Sequence, residues 1–137
     1  MTATLSSTLG NNADFGAGKC IDGNTEGPDQ GTSDGANADF CHTNDEPMPW
    51  IALDYGTTVN VQRVDIFNRR ANNGQRTRNI FVRISDEIPT SGSEMFSGGK
   101  LLGNFPGTAS NGQQITISGQ KLKVEIAEEY SRPSNGW

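Results

Sequence analysis

This sequence has no long hydrophobic run, a single histidine, only two cysteines and a low apolar content. No uninterrupted apolar stretch approaches the roughly 18–20 residues with which a helix spans a bilayer, so membrane insertion is not expected. The opening Met1-Thr2-Ala3-Thr4 has neither a charged segment nor an apolar one, and no signal peptide is visible. Either the protein is intracellular, or it is an exported protein in its mature form behind an added Met1; the second is the favoured expectation. One histidine and two cysteines cannot supply the four nitrogen or sulfur ligands usual at a structural zinc site. Cations are also scarce: 11 lysines and arginines against 16 acidic residues leave a net charge of −5. That balance argues against nonspecific binding to nucleic acid or to an anionic membrane, both of which need a basic face. No nucleophile motif, phosphate-cradling glycine loop or cofactor fingerprint is present.

What is present suits one small all-β domain. A chain of 137 residues is long enough for a real core. With 32% hydrophobic residues and 17 glycines, short strands joined by many loops are expected rather than helices. Trp50-Ile51-Ala52-Leu53 and Ile80-Phe81-Val82-Arg83-Ile84 can bury apolar surface, which argues against full disorder. There is no internal repeat and no heptad pattern. Strands are expected at Trp50–Tyr55, Asn60–Asn68, Asn79–Ser85, Lys100–Phe105, Gln114–Ile117 and Leu122–Ile126. Val64, Ile66 and then Asn68 alternate with polar positions, as do Ile115 and Ile117, and Leu122, Val124 and Ile126; this period of two suits sheets with one buried face. The expected architecture is an antiparallel sandwich of the jelly-roll kind or a barrel. Residues 1–129 form the domain, and 130–137, with Pro133 and Asn135-Gly136, read as a poorly ordered tail. The loops Gly23–Phe40, Ala71–Gln75 and Ser91–Gly99 are long for plain connections, and long loops on a rigid sandwich are where binding usually lies. Gly98-Gly99 reads as a hairpin turn.

In this acidic chain, cations gather in one place. His42 is followed 27 and 34 positions later by Arg69 and Arg76, with Arg70 and Arg78 beside them. The plain reading is a solvated surface. The sharper reading is a binding site for a small polyhydroxylated ligand. Two arginine forks present donors in fixed planes, and an imidazole adds a directional donor or acceptor. Hydrogen bonds to charged groups contribute roughly 1.5–3 kcal/mol each, enough to discriminate the configuration at one hydroxyl. A monosaccharide bound this way would have a Kd near ~0.1 mM, so several sites would be needed for useful avidity.

Ser6-Ser7-Thr8, Cys20-Ile21-Asp22-Gly23-Asn24, His42-Thr43 and Pro49-Trp50-Ile51-Ala52-Leu53-Asp54-Tyr55-Gly56 stand in the order found in discoidin-like (coagulation-factor C-type) domains. Val61–Asn68 and Arg76–Ser85 follow the same pattern. Within that superfamily, His42, Arg69 and Arg76 resemble the fucose-binding triplet of the F-type lectins (fucolectins), with the spacings of the eel agglutinin type. The resemblance covers roughly residues 5–126 and implies a secreted, noncatalytic lectin that recognises L-fucose on glycans or glycoproteins. Its members occur as trimers and as tandem domains. Three departures stand out. Arg69-Arg70-Ala71-Asn72-Asn73 replaces the usual Arg-Gly-Asp followed by paired cysteines, so Asn72 and Asn73 form a polar wall where a vicinal disulfide would pack on the sugar. Arg70 adds a charge. The segment between Asn24 and His42 is longer than in the eel type, and Phe40 is the nearest candidate for its apolar contact with the sugar, or else an inward core residue.

In the resembling lectins the Asp-Gly-Asn turn holds a structural calcium ion. That implies ligands from Asp22 and Asn24, with Asp39, backbone oxygens near Lys19 and Phe40, and Glu125 completing the shell. The plain alternative is an Asx turn. Cys20 and Cys41 flank residues 21–40; they either form a disulfide, stabilising by roughly 3 kcal/mol, or remain buried thiols. Asp45 and Glu46 precede Pro47-Met48-Pro49 and read as a solvated turn rather than as the carboxylate pair of a glycosidase. Two further readings compete with a free-standing lectin. One is a carbohydrate-targeting module of a larger enzyme with another sugar such as galactose. The other is a discoidin-like adhesion or lipid-headgroup domain.

Overall fold

The computed structural model describes residues 1–25, 40–70, 72–87, 94 and 97–119. Within them the chain forms six strands: β1 (Thr2–Leu5), β2 (Ile51–Asp54), β3 (Arg63–Phe67), β4 (Arg78–Ile84), β5 (Lys100–Thr108) and β6 (Gln114–Ser118). All the pairings are antiparallel: β1 with β2, β3 with β6, and β4 with β5. The β4–β5 pair is thus nested in sequence between the two strands of the β3–β6 pair. The core lies where these two pairs meet. Ile80 of β4, Ala109, and Ile115 and Ile117 of β6 are buried together, with Ile66, Val82 and Phe105 packed against them. A Cβ on Gly103 of β5 would stand 2.9 Å from the Ile117 side chain, so glycine there lets β5 lie close over β6. The expected all-β antiparallel sandwich is therefore observed.

Five expected strands are present with shifted ends. β3 begins at Arg63 rather than Asn60, and Asn68 has left the strand to bury its side chain. β5 runs on through Pro106 to Thr108 with two register shifts in its pairing with β4. The sixth expected strand, Leu122–Ile126, and the 130–137 tail lie outside the described residues. β1 was not expected from the sequence. Its four residues alternate polar and apolar but are too few to mark a strand by themselves, and the register Thr2↔Asp54 to Leu5↔Ile51 on β2 makes it one. Ile51 and Leu53, expected to bury apolar surface, are 43% and 37% exposed, because the pleat turns Ala52 inward instead. Gly98-Gly99 does not form a tight hairpin turn: it ends a long β4–β5 connection, where Gly99 takes a φ of 65° just before β5.

Between β1 and the first long loop, three short 3₁₀ turns (Leu9–Asn11, Ala13–Phe15, Ala17–Cys20) fold the chain against the segment that carries His42. Asn12 caps the second turn, its side chain accepting from the Asp14 N–H at 3.0 Å. These turns place Phe15 in the interior at 7% exposure. They also deliver Cys20 to Cys41, and the two form a disulfide with their Cα atoms 5.2 Å apart. Among the described residues no helix is long and apolar enough to cross a membrane.

Candidate functional site

The segment around His42 is held from both sides. The His42 N–H donates to the Phe15 carbonyl at 3.1 Å, and the Leu9 N–H donates to the His42 carbonyl at 2.9 Å. Phe15, Phe40 and His42 form an aromatic cluster with ring centroids 5.8–6.2 Å apart, and Phe15 meets His42 edge-on. His42 Nδ1 sits 2.5 Å from the Thr43 carbonyl oxygen. A carbonyl oxygen only accepts, so Nδ1 carries the hydrogen, and in the neutral ring Nε2 is the accepting nitrogen.

Arg69 reaches this cluster from β3. Its guanidinium carbon lies 4.5 Å from the centroid of the Phe40 ring, a cation–π arrangement, and Phe40 packs against His42. Phe40 is therefore committed to Arg69 on one face and to the aromatic cluster elsewhere. Asn72 and Asn73 both adopt left-handed backbone, with φ of 45° and 60°, which asparagine tolerates better than most residues. Asn73 leads into a 3₁₀ turn, Gly74–Arg76, in which the Arg76 N–H donates to the Asn73 carbonyl at 3.0 Å. Arg76 and Asn72 are exposed, and Asn73 is half-buried. The described contacts join Phe40, His42 and Arg69 into one cluster; Arg76 is tied to it through the loop backbone.

That loop rests on the β5–β6 turn. The Gly112 N–H donates to the Arg69 carbonyl at 2.7 Å, the Ala109 N–H to the Thr77 carbonyl at 2.8 Å, and the Asn68 N–H to the Gln113 carbonyl at 3.0 Å. The Gly74 N–H donates to Asn111 Oδ1 at 2.8 Å. A Cβ on Gly74 would fall 2.4 Å from that same oxygen, so the contact requires glycine. Arg70, the extra charge, donates from Nη2 to the Thr25 carbonyl at 3.3 Å and so links the loop to the segment after Asp22-Gly23-Asn24.

In that segment, Asp22 Oδ1 accepts from the Asn24 N–H at 2.9 Å, which is the Asx turn, with Gly23 at a φ of 79°. Both side chains are exposed, and the Cys20–Cys41 bond brings the Lys19 and Phe40 ends of the loop together. Asp39 and Glu125 lie outside the described residues. Among the described residues no three His, Cys, Asp or Glu side chains cluster.

Glu46 is engaged in structure. Its Oε1 accepts from the hydroxyls of Ser6 and Ser7, both at 2.6 Å. Ser6 Oγ in turn accepts from the Trp50 N–H at 3.2 Å, and Ser7 Oγ from the Asn44 N–H at 2.9 Å. The carboxylate thus clamps the end of β1 onto the segment before β2.

Sequence reasoning missed three residues that shape the site: Phe15, Asn111 and Asn68. For Asn68 a signal existed, because the alternation Val64, Ile66, Asn68 places an amide at an inward position, where a polar group must find partners.

No curated protein matches the chain. Residues 19–126 match the model of a family described as NedA-like, galactose-binding domain, within the coagulation-factor 5/8 type C group. The match is to the superfamily indicated by the motif order, not to its fucose-lectin branch. It covers well over half of the chain and takes in Phe40, His42, the arginine loop and all of β2 to β6, so this chain belongs to the NedA-like, galactose-binding domain family, as a discoidin-like carbohydrate-binding domain.

Proposed function

We propose that the domain binds a terminal sugar of galacto configuration, L-fucose foremost, through His42, Arg69 and Arg76. The observation that carries this reading is the cluster itself: the Arg69 guanidinium carbon lies over the Phe40 ring, and Phe40 in turn packs against His42. L-Fucose and galactose share an axial hydroxyl next to an equatorial one. His42 Nε2 accepts a hydrogen from one hydroxyl, while the arginine N–H groups donate to its neighbour and to the ring oxygen. An epimer with that hydroxyl moved would leave an arginine donor unpaired. Asn72 and Asn73 line one wall of the site. The fit is to a bound sugar rather than to a reaction, and we propose that the domain has no catalytic activity. Its partners are fucosylated or galactosylated glycans on glycoproteins, met outside the cell, where the Cys20–Cys41 bond persists. Multiple copies, as oligomers or tandem domains, would supply the avidity that one weak site lacks.

A calcium ion held by Asp22, Asn24 and Asp39, by backbone oxygens near Lys19 and Phe40, and by Glu125 would stiffen the loop that carries Phe40 and His42. It would act there by ordering the chain, with no part in chemistry.

Titration calorimetry with L-fucose, D-galactose and L-galactose, with and without calcium, tests these points together. Saturable binding of fucose at a Kd near ~0.1 mM is expected, weakened by a chelator. Heat with D-galactose alone would replace fucose by the sugar that the family description names, and would favour a second reading, a galactose-directed targeting module of a larger enzyme. No heat with any of the three would sink the assignment.

A further inference from the structure

We infer that Asn68 is the positioning residue that sets Arg69 and Arg76 relative to one another, and that it governs ligand affinity without touching the ligand. This rests on the reading of those arginines as sugar-binding groups.

Asn68 is the one polar side chain buried among the described residues, at 9% exposure. Its amide uses its whole hydrogen-bonding capacity inside the protein. From Nδ2 it donates to the Gly74 carbonyl at 2.9 Å and to the Ser110 carbonyl at 2.8 Å. At Oδ1 it accepts from the Arg69 N–H at 3.0 Å and from the Thr77 hydroxyl at 2.8 Å. The positions of these partners are the argument. One bond fixes the backbone of Arg69 itself. Two others grip Gly74 and Thr77, which bracket Arg76. The fourth anchors the assembly to the β5–β6 turn. One side chain thereby spans the loop from the first arginine to the second.

No other asparagine-sized residue can do this. Aspartate would lose both donors and set a carboxylate against two carbonyl oxygens. Serine would be too short to reach both ends. The Gly74 carbonyl also accepts from the Thr77 N–H at 3.0 Å, so the amide bonds close a ring of contacts around Arg76. A loop with two left-handed asparagines in its middle has little regular structure of its own to hold it. Its shape is set from beneath.

The test is a set of variants of the whole chain: Asn68→Ala, Thr77→Val, Arg76→Ala and the Thr77→Val/Arg76→Ala pair. Each is titrated with L-fucose and followed by thermal denaturation and backbone amide exchange. Thr77→Val removes a single donor to Asn68 Oδ1 and guards against a variant that simply fails to fold. Asn68→Ala and Thr77→Val are each expected to raise Kd by roughly tenfold or more, and to speed amide exchange at Gly74 and Thr77 while leaving β4 and β6 unchanged. If Thr77 acts through Arg76, its effect shrinks in the Arg76→Ala background, which a general loss of stability would not do. Wild-type affinity in both single variants, or full additivity in the pair, overturns the inference. If the wild-type chain binds no sugar, the carbohydrate reading fails and ligand positioning fails with it. The exchange measurement then separately decides whether Asn68 holds the loop.

Discussion

The guanidinium carbon of Arg69 lies 4.5 Å from the centroid of the Phe40 ring. We expect Phe40 to act through Arg69, as a platform beneath the guanidinium. Phe40→Leu keeps the apolar bulk and loses the ring face; it is expected to weaken sugar binding by about fivefold, while Phe40→Tyr restores it. The comparison of two sugars separates the roles. If Phe40 works through Arg69, calorimetry will show L-fucose and D-galactose losing affinity alike. A loss confined to fucose would instead mean that Phe40 touches the sugar methyl.

Cys41 stands between Phe40 and His42, so its bond to Cys20 holds both residues. Cys20→Ser/Cys41→Ser, or reduction of the wild type, is expected to lower stability by about 3 kcal/mol. Ligand affinity should fall with it at temperatures where the domain is still folded. Thermal denaturation and sugar titration with and without reductant read the two effects, and unchanged affinity in the reduced domain would detach the disulfide from the site.

Glu46 is predicted to matter for stability and not for chemistry. Glu46→Ala leaves the Ser6 and Ser7 hydroxyls without their shared acceptor, and a loss of about 2–3 kcal/mol is expected in chemical denaturation. Neither the wild type nor the variant should release reducing sugar from a fucosylated substrate. Release by the wild type and not by Glu46→Ala would make the domain a hydrolase.

On the outer face of β3, Asp65 is held below the ordinary aspartate value of 3.8, chiefly by the hydrogen bond from Thr116; desolvation, the next largest effect, opposes this, and Arg63 and Gln114 add to the lowering. Thr116 Oγ1 donates to Asp65 Oδ1 at 2.7 Å, and Arg63 Nε lies 3.0 Å from Oδ2. A carboxyl depressed in the folded state stabilises it above the unfolded value, and that stability disappears as pH falls through the folded value. The wild type should therefore lose stability on acidification below about pH 4 more steeply than Asp65→Asn does, with the two curves parallel at neutral pH. Denaturation midpoints from pH 2 to 7 measure this, and parallel curves throughout would contradict it.

The strands from β2 to β6 were legible because their apolar residues alternate and turn residues bound them. Ile115 and Ile117 face the core as the pattern required. β1 was not legible, since Thr2-Ala3-Thr4-Leu5 becomes a strand only by pairing with β2. Ile51 and Leu53 misled because composition marks a strand as apolar without saying which face it buries. Within the candidate site, His42 and Arg69 could be named from residue type and spacing, and Phe40 from the family resemblance. The aromatic cluster with Phe15 could not, because it joins residues from separate parts of the chain.

The sequence by itself determined the class of the domain: short antiparallel strands, long polar loops, an acidic surface and a few cations gathered where a sugar could be held. Local pattern suffices for this, because the period of two and the turn residues act over neighbouring positions. Only the tertiary structure decided that Cys20 bonds Cys41, that Phe40 lies under Arg69, and that Asn68 grips both ends of the arginine loop. Those relationships depend on side chains far apart in sequence coming within a few ångströms, and directional hydrogen bonds and ring contacts exist only once that approach has been made.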